Sequence, residues 1–289
     1  MNNQLFLDKF QAKYRGETDR LRLTNYLKEE LQLLLLEAIY AVSFPERIYF
    51  MGGTCLHLCY QLPRFSEDLD FSLNKPAPAF HFVKFAELLR HKFNPEVTGM
   101  ATEMNIKNAE NVKKIIFKFP ELLYSLNLSP LQNTKIQINF ECDVNPPQGA
   151  QTKLDQLSSV FNSFYINQFD LPTCFAGKIG ALLCREYTKG RDYFDVRWLL
   201  KELRELQPNY VYLSNRLKQS GLKIPDDPHL LKQEVFTRLI QKIQKVDLSV
   251  LKKDLQHLVQ MSEKNFSIYL ENYQEETISA LTVAKGSVL

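Results

Sequence analysis

The strongest constraint on the fold comes from one short segment in the first third of the chain. The four apolar residues Ile48–Met51 predict a strand, and the pair Gly52-Gly53 that follows them predicts a tight turn. A helix is expected from Thr54 to the break at Leu62-Pro63. Beyond this break, apolar and polar side chains alternate over Asp68–Leu73, which predicts a second strand with its acids on one face. Two strands joined by so short a helix indicate a fold that mixes strands and helices.

The periodicity of the remaining sequence separates a mixed N-terminal part from a helical C-terminal part. Apolar spacing predicts helices over residues 21–42 and 80–93, and alternation predicts strands over residues 112–119 and 134–141. After Pro172 the pattern is almost entirely helical, with predicted helices over residues 173–187, 191–206, 227–245 and 248–269. We therefore expect an α/β (α+β) protein with two domains. Residues 1–165 would form a lobe with a small mixed sheet and an N-terminal helix, and residues 166–289 would form a helical lobe.

The composition excludes several classes of protein. The 36 Lys and Arg residues exceed the 33 Asp and Glu residues by 3, a net charge too small to identify a nucleic-acid binder. Five cysteines without paired spacing indicate neither a disulfide framework nor a complete zinc site. The longest apolar stretch is interrupted by Glu37 and falls short of the roughly 20 residues that cross a bilayer, and no secretory signal precedes it. We expect a cytoplasmic protein without membrane contact.

The glycine pair and the two aspartates that follow it indicate a chemistry. Glycines between a strand and a helix let backbone amides approach a phosphate closely, and a helix N-terminus favours an anion. Asp68 and Asp70 are two residues apart on a strand and can share a divalent cation, for which their hard oxygen ligands suit Mg²⁺ or Mn²⁺. Alone, each feature is more often structural, as a turn or a solvated strand face. Together, in this order, they favour phosphoryl or nucleotidyl transfer.

A second cluster of charged residues lies further along the chain. Lys178 and Arg185 are seven residues apart and therefore share a helical face, as do Asp192 and Asp195 at a separation of three. Such cations could hold phosphates and stabilise the charge of a leaving pyrophosphate. By itself, the cluster is explained more simply as an exposed helix with an acid near its N-terminus.

Residues 52–71, with the sequence GGTCLHLCYQLPRFSEDLDF, resemble the first motif of the AbiEii/AbiGii-type toxin nucleotidyltransferases, which are relatives of DNA polymerase β. Residues 175–195 are similar to a second region of that family, in which a helical Lys and Arg precede an Arg-Asp-x-x-Asp sequence. The resemblance implies that Asp68 and Asp70 bind Mg²⁺ or Mn²⁺. It also implies that Lys178 grips the phosphates of an NTP and that Asp192 orients or deprotonates the acceptor hydroxyl. Further nucleotide contacts are implied for Gly52, Gly53, Thr54, Arg64, Ser66 and Arg185.

The resemblance extends to the biological role. It implies the toxin of a toxin–antitoxin or abortive-infection system that transfers nucleotides from an NTP to an acceptor. The family's targets point to the 3′ end of tRNA as that acceptor. A co-encoded antitoxin protein is the implied partner.

The sequence departs from the family at the third carboxylate. Polymerase β-like enzymes place this acid on a strand beside the Asp-x-Asp strand, and in the toxin family it follows a Lys by two residues. Here that position is Gln137. Glu141 and Asp143 share the face of Gln137 but lie about 13–20 Å further along the strand, so we expect them to be weak substitutes.

Three alternatives stay open at this point. The loss of an acid at Gln137 is compatible with a silent module that binds NTP without transferring it. The residues that handle the NTP are equally compatible with a protein hydroxyl as acceptor. Finally, a basic run with interleaved aromatic residues could form either a face for RNA or a solvated edge strand. The run consists of Lys107, Lys113, Lys114, Phe117, Lys118 and Phe119.

Overall fold

The computed structural model describes residues 3–42, 47–73, 75–77, 80–94, 100–202 and 205–286. The chain divides into two compact units. The first comprises residues 1–59, 66–146 and 154–168, and the second comprises residues 60–65, 147–153 and 169–289. Two short segments that precede residue 169, namely residues 60–65 and 147–153, therefore belong to the second unit.

The first unit is built on a seven-stranded mixed sheet. Its strands are β1 (Ile48–Met51), β2 (Asp68–Leu73), β3 (Glu103–Asn108), β4 (Val112–Phe119), β5 (Ile136–Asp143), β6 (Thr152–Ser158) and β7 (Ser163–Phe169). Their order in the sheet is β3-β4-β5-β2-β1-β7-β6. β2 pairs in antiparallel fashion with β1 and in parallel fashion with β5, while β3, β4 and β5 are antiparallel neighbours. This arrangement confirms the predicted mixed α/β fold.

The first unit also contains helices. They are α1 (Asn3–Lys13), α2 (Arg20–Ala41), α3 (Gly52–Tyr60), α4 (Phe82–Lys92) and the single turn α5 (Leu122–Ser125). Aromatic rings form the core between sheet and helices: Phe71 lies 4.8 Å from Phe140, and Phe85 of α4 lies 5.5 Å from Phe140, measured between ring centroids. The fully buried residues Leu69 and Phe71 of β2, Ile115 and Phe117 of β4, and Ile138 and Phe140 of β5 point into this core, and the residues that alternate with them lie on the opposite face.

The second unit is helical. Its helices are α6 (Leu171–Cys184), α7 (Gly190–Glu202), α8 (Tyr210–Gln219), α9 (Pro228–Gln244), α10 (Leu248–Leu255), α11 (Glu263–Glu271) and α12 (Tyr273–Gly286). Several begin at a side-chain cap, as at Asp170, whose carboxylate accepts a hydrogen bond from the Thr173 amide. The buried rings of Tyr212 and Tyr273 lie within this unit, and the Tyr273 hydroxyl donates to the Tyr193 carbonyl at 2.9 Å. None of the described helices is long and apolar enough to cross a membrane.

Several predicted elements agree with the structure. The strands over residues 48–51 and 112–119 are confirmed with their bounds, and the strand predicted over residues 134–141 runs from 136 to 143. Strands β3 and β6 were not predicted, because they are the two edges of the sheet and their side chains are mostly exposed, which leaves no apolar alternation. The predicted helix over residues 191–206 includes residues 203 and 204, which lie outside the described residues.

Two local predictions are wrong. The glycine pair does not form a turn ahead of a helix from Thr54, because α3 begins at Gly52 directly after β1. The single helix predicted over residues 248–269 is two helices, α10 and α11. The chain leaves helical geometry between them because its backbone pairs with an earlier segment: the Phe65 amide donates to the Leu258 carbonyl at 2.8 Å, and the Gln260 amide donates to the Pro63 carbonyl at 3.2 Å.

Candidate functional site

The two aspartates of the first unit lie on the polar face of β2. Asp68 and Asp70 are half-buried, while Leu69 and Phe71 between and beyond them are fully buried in the core. Successive side chains of a strand point to opposite faces, so the two carboxylates project from the same face of the sheet. The sequence-based placement of the two acids on one face of one strand is confirmed.

Gly52 makes room for one of these carboxylates. Its φ of +82° lies in the left-handed region, and a Cβ atom built on it would lie 2.2 Å from Asp70 Oδ2. Met51, the residue before it, is paired with Asp70 across the antiparallel strands. Both the backbone conformation and the close approach therefore require glycine at this position.

Thr54 ties the start of α3 to β2. Its side chain is fully buried, and its hydroxyl donates a hydrogen bond to the backbone carbonyl of Asp68. The neighbouring Gly53 is also buried, and Ser66 is half-buried with its carbonyl accepting from Gln32 Nε2 at 3.0 Å. The first turn of α3 is thereby fixed beside the strand that carries the aspartates.

The register of β5 against β2 decides which residues accompany the aspartates. Asn139 lies opposite Asp68, and its Nδ2 donates to Asp68 Oδ1 at 2.7 Å. Glu141 lies opposite Asp70, and adjacent strands are about 4.8 Å apart. The expected separation of about 13–20 Å runs along β5 from Gln137, whereas Glu141 is the neighbour of Asp70 across the sheet.

The donor set fits a divalent cation that also binds substrate. Asp68 and Asp70 supply two hard carboxylates on one face, and the Asp70 carboxylate packs against Gly52. Within the described part of the chain, no three His, Cys, Asp or Glu side chains are grouped so that they could hold a metal ion by themselves. Mg²⁺ is commonly held by one or two carboxylates, with water and substrate phosphate oxygens completing its octahedron.

The same face of the sheet continues into a group of lysines on the outer strands. Lys114 lies between Glu141 and Lys107 in register, and its Nζ is 2.6 Å from Glu141 Oε1. Lys118 of β4 lies opposite Gln137 of β5. Two residues earlier in β4, Ile116 lies opposite Asn139. We call Lys107, Lys114 and Lys118 the lysine face.

The expected interleaving of lysines and aromatic rings is wrong. Phe117 and Phe119 are fully buried and point into the core, on the opposite side of β4 from the lysine face. Lys113 also lies on that opposite side, where its Nζ donates to the Ala109 carbonyl at 2.7 Å. The lysine face therefore contains no aromatic ring from β4.

In the second unit, a buried ion network surrounds Asp195. The Asp195 side chain is fully buried and accepts hydrogen bonds from Arg64 Nε at 2.6 Å and Arg64 Nη2 at 2.7 Å. Lys178 Nζ lies 2.7 Å from Asp195 Oδ2. Arg64 itself is only 1% exposed, so the structure places this sequence-predicted nucleotide contact inside the helical unit.

Asp192 extends this network toward the surface. Its Oδ1 lies 3.2 Å from Lys178 Nζ, and its Oδ2 is paired with Arg185 Nη1. The structure therefore brings together Lys178, Arg185 and Asp192, the three residues of the second cluster to which the resemblance assigns a role. Asp195, which the sequence analysis gave no role, joins them through Lys178.

The network changes the ionisation of its buried members. Burial acts to lower the pKa of Lys178, but the carboxylates of Asp195 and Asp192 more than offset it, so that the pKa is raised. Burial acts to raise the pKa of Asp195, but Arg64 and Lys178 reverse this and lower it. Both groups are therefore held in their charged forms.

Lys189, close to this network, has a lowered pKa, whereas the pKa of Lys178 is raised. Burial is the largest cause that lowers its pKa, and the neighbouring Arg191 adds to the effect. The guanidinium of Arg185 lies 5.2 Å from the centre of the Tyr187 ring, which is exposed. Cationic groups and an exposed ring thus occur together at the end of α6 and the start of α7.

Comparison with known proteins gives one family and a common fold. The family model described as "Nucleotidyl transferase AbiEii toxin, Type IV TA system" matches residues 34–272. A candidate nucleotidyltransferase from Helicobacter pylori is 17% identical, with a TM-score of 0.53, over 90% of this chain and 94% of that chain. JHP933 from Helicobacter pylori is 16% identical, with a TM-score of 0.53, over 91% of this chain and 92% of that chain. No curated protein matches the sequence.

Proposed function

Because the chain belongs to the AbiEii family of nucleotidyltransferase toxins, we propose that it transfers nucleotides from an NTP to the 3′ end of tRNA in a Mg²⁺-dependent reaction. The observation that carries this proposal is the pair of carboxylates on one face of β2, with Gly52 packed against Asp70. The family is one of type IV toxin–antitoxin systems, so the proposed physiological partner is a cognate antitoxin protein.

We assign the metal-binding role to the two aspartates of β2. Asp68 and Asp70 would hold Mg²⁺, which when bound neutralises triphosphate charge and activates the acceptor hydroxyl. Asn139 fixes the Asp68 carboxylate through its 2.7 Å hydrogen bond, and the Asp70 carboxylate packs against Gly52. Gly53, Thr54 and Ser66 are proposed to line the nucleotide site, with Thr54 acting through the backbone that its side chain anchors.

We assign phosphate binding to the cations of the second unit. Lys178 would contact the NTP phosphates, and Arg185 would stabilise charge on the leaving pyrophosphate. The Asp192 carboxylate pairs with both cations and so fixes their positions. Asp192 also remains our proposal for the group that orients the acceptor hydroxyl.

Glu141 is a second proposal for the base that accepts the proton of the acceptor. It lies opposite Asp70 across the parallel strands, on the face that carries the metal-binding aspartates. Lys114 Nζ lies 2.6 Å from its Oε1 and holds the side chain on that face. With Glu141 in this role, the amide at Gln137 would not prevent catalysis.

The lysine face supports a polynucleotide acceptor. Lys107, Lys114 and Lys118 share a sheet face with Asp68 and Asp70, so a phosphate backbone crossing β3 and β4 would meet positive charge beside the aspartates. Asn105 and Gln137 add amide groups to this face. Amide and ammonium donors are the groups that contact sugar and phosphate in RNA complexes.

The test is a labelling experiment with purified protein and Mg²⁺. Bulk tRNA and total cell protein are each incubated with every labelled NTP in turn, with Asp70→Asn as the inactive control. Label that appears in tRNA and vanishes in the variant supports the proposal. Label in protein bands alone would replace tRNA with a protein acceptor, and NTP binding without any labelling would indicate a silent module.

A further inference from the structure

Arg64 stands four residues before Asp68 in the sequence, yet its side chain belongs to the helical unit. Its backbone forms an isolated antiparallel bridge with Val259, and the flanking Phe65 amide donates to the Leu258 carbonyl at 2.8 Å. Arg64 Nη1 donates to the Phe65 carbonyl at 2.9 Å. Backbone and side-chain bonds together therefore fix the direction in which the guanidinium points.

The guanidinium points at Asp195. Its Nε and Nη2 donate to the two carboxylate oxygens at 2.6 and 2.7 Å, the bidentate geometry in which Arg and carboxylate bind most strongly. Arg64 is 1% exposed and Asp195 is 0% exposed. Three of the five guanidinium N–H groups are engaged in bonds within the second unit, so little of this side chain is left for direct contact with a nucleotide.

Asp195 has a second cation, Lys178. The Lys178 ammonium lies 2.7 Å from Asp195 Oδ2 and 3.2 Å from Asp192 Oδ1. An ammonium has three N–H donors, and these two carboxylates take two of them. Among the described residues this leaves the third donor for an oxygen outside the network, and its direction is set by the two carboxylates.

From these contacts we propose that Arg64 and Asp195 are positioning residues, with Asp195, clamped by Arg64, holding the Lys178 ammonium in place for the phosphates of NTP. This inference rests on the proposed function of Lys178 as the phosphate-binding cation. It assigns Arg64 a role different from the direct nucleotide contact that the resemblance implies. Lysine at position 64 would keep the charge but lose the bidentate geometry, which would leave the Asp195 carboxylate free to rotate.

The experiment compares Arg64→Lys and Asp195→Asn with the matched control Arg197→Lys. Arg197 is likewise a buried arginine of the second unit, but its guanidinium bonds to the Tyr269 carbonyl and to Glu276 rather than to Asp195. ATP affinity is measured by equilibrium titration, and KM and kcat for NTP are measured from pH 6 to 10. All values are normalised to the folded fraction from circular dichroism.

We expect both test variants to bind NTP about tenfold more weakly and to raise KM by the same factor, because loss of a charge-assisted contact typically has this effect. In Asp195→Asn the alkaline fall of kcat/KM also moves to lower pH, since Lys178 has lost its nearest carboxylate. The control is expected to lose thermal stability while its NTP affinity, KM and pH profile stay at the wild-type values.

Unchanged NTP affinity in folded Arg64→Lys, or an unchanged pH profile in folded Asp195→Asn, would overturn the inference. If the single variants do not fold, the apolar pair Arg64→Met with Asp195→Leu removes both buried charges together, a replacement that proteins often tolerate. Wild-type NTP affinity in that double variant would equally overturn the inference. Failure of the proposed function is distinguishable, because then the wild-type protein itself transfers no nucleotide.

Discussion

Glu141 lies directly opposite Asp70 in the parallel pairing of β5 with β2. Gln137 points to the same face of the sheet but lies opposite Lys118 in the pairing of β5 with β4. The family resemblance implies a third acid at position 137, where this chain has glutamine. The register instead brings a glutamate to the row of the sheet that contains Asp70.

This relationship predicts unequal effects of two substitutions on β5. Glu141→Gln should reduce the rate of transfer by about 100-fold, a typical loss for a general base, while Gln137→Glu should leave it within about twofold. The measurement is the single-turnover rate at saturating NTP and tRNA. A loss of less than about twofold in Glu141→Gln would reject Glu141 as the base and leave Asp192 as the proposed group.

The aspartates of β2 give the most direct test of metal binding. Asp68→Asn and Asp70→Asn should each reduce transfer by about 1,000-fold, because a lost metal ligand removes several kcal/mol of transition-state stabilisation. Both positions are half-buried, so the melting temperature should change little. Asp8→Asn, at an exposed residue of α1, is the control and should keep full activity. Full activity of Asp70→Asn would refute the metal assignment.

Gly52 should be sensitive for two separable reasons. Gly52→Ala strains a left-handed backbone and places a Cβ 2.2 Å from Asp70 Oδ2, so we expect a loss of about 2–5 kcal/mol in the free energy of unfolding. Gly16→Ala shares the positive φ but has no neighbour within 4 Å, so it should lose only about 1–2 kcal/mol. Urea denaturation measures the free energy of unfolding of both variants. Equal losses would mean that the Asp70 side chain moves away from the new Cβ at no measurable energetic cost.

The buried Asp195 gives stability a defined dependence on pH. Its pKa is lowered below the ordinary value of 3.8, so its stabilising ion pairs are complete above that pH and are lost as the pH falls through the lowered pKa. At pH 7, Asp195→Asn should reduce the free energy of unfolding by about 3–5 kcal/mol, because two buried cations lose their partner. Denaturation curves recorded from pH 7 to pH 2 should show this difference shrinking below about pH 4. A difference that stays constant would contradict the ion-pair assignment.

The lysine face predicts salt-dependent binding of RNA. Lys118→Ala should weaken tRNA binding and reduce the slope of log affinity against log salt by about 1, since one phosphate contact is lost. Lys113→Ala is the matched control, because Lys113 is on the same strand but on the opposite face and bonded to the Ala109 carbonyl. Filter binding of labelled tRNA at several salt concentrations measures both slopes. Equal slopes for the two variants would exclude the lysine face as the RNA surface.

The chain's sequence alone determined the features that depend on neighbouring residues. Alternation over Asp68–Leu73 fixes both acids on one face, because the side-chain period of a strand is two residues. The spacing of Lys178, Arg185 and Asp192 brings these residues together for a similar reason, since α6 and α7 follow each other closely in the chain. Local geometry is sufficient for such predictions.

Only the tertiary structure decided which distant residues become partners. The placement of Glu141 opposite Asp70 depends on the register between β5 and β2, which are separated by more than sixty residues and two other strands. The bidentate contact of Arg64 with Asp195 joins positions 131 residues apart. It forms because residues 62–65 pair with residues 258–260, the segment between α10 and α11. Periodicity describes which way a side chain points along its own element, but pairing between elements is chosen by the packing of the whole core.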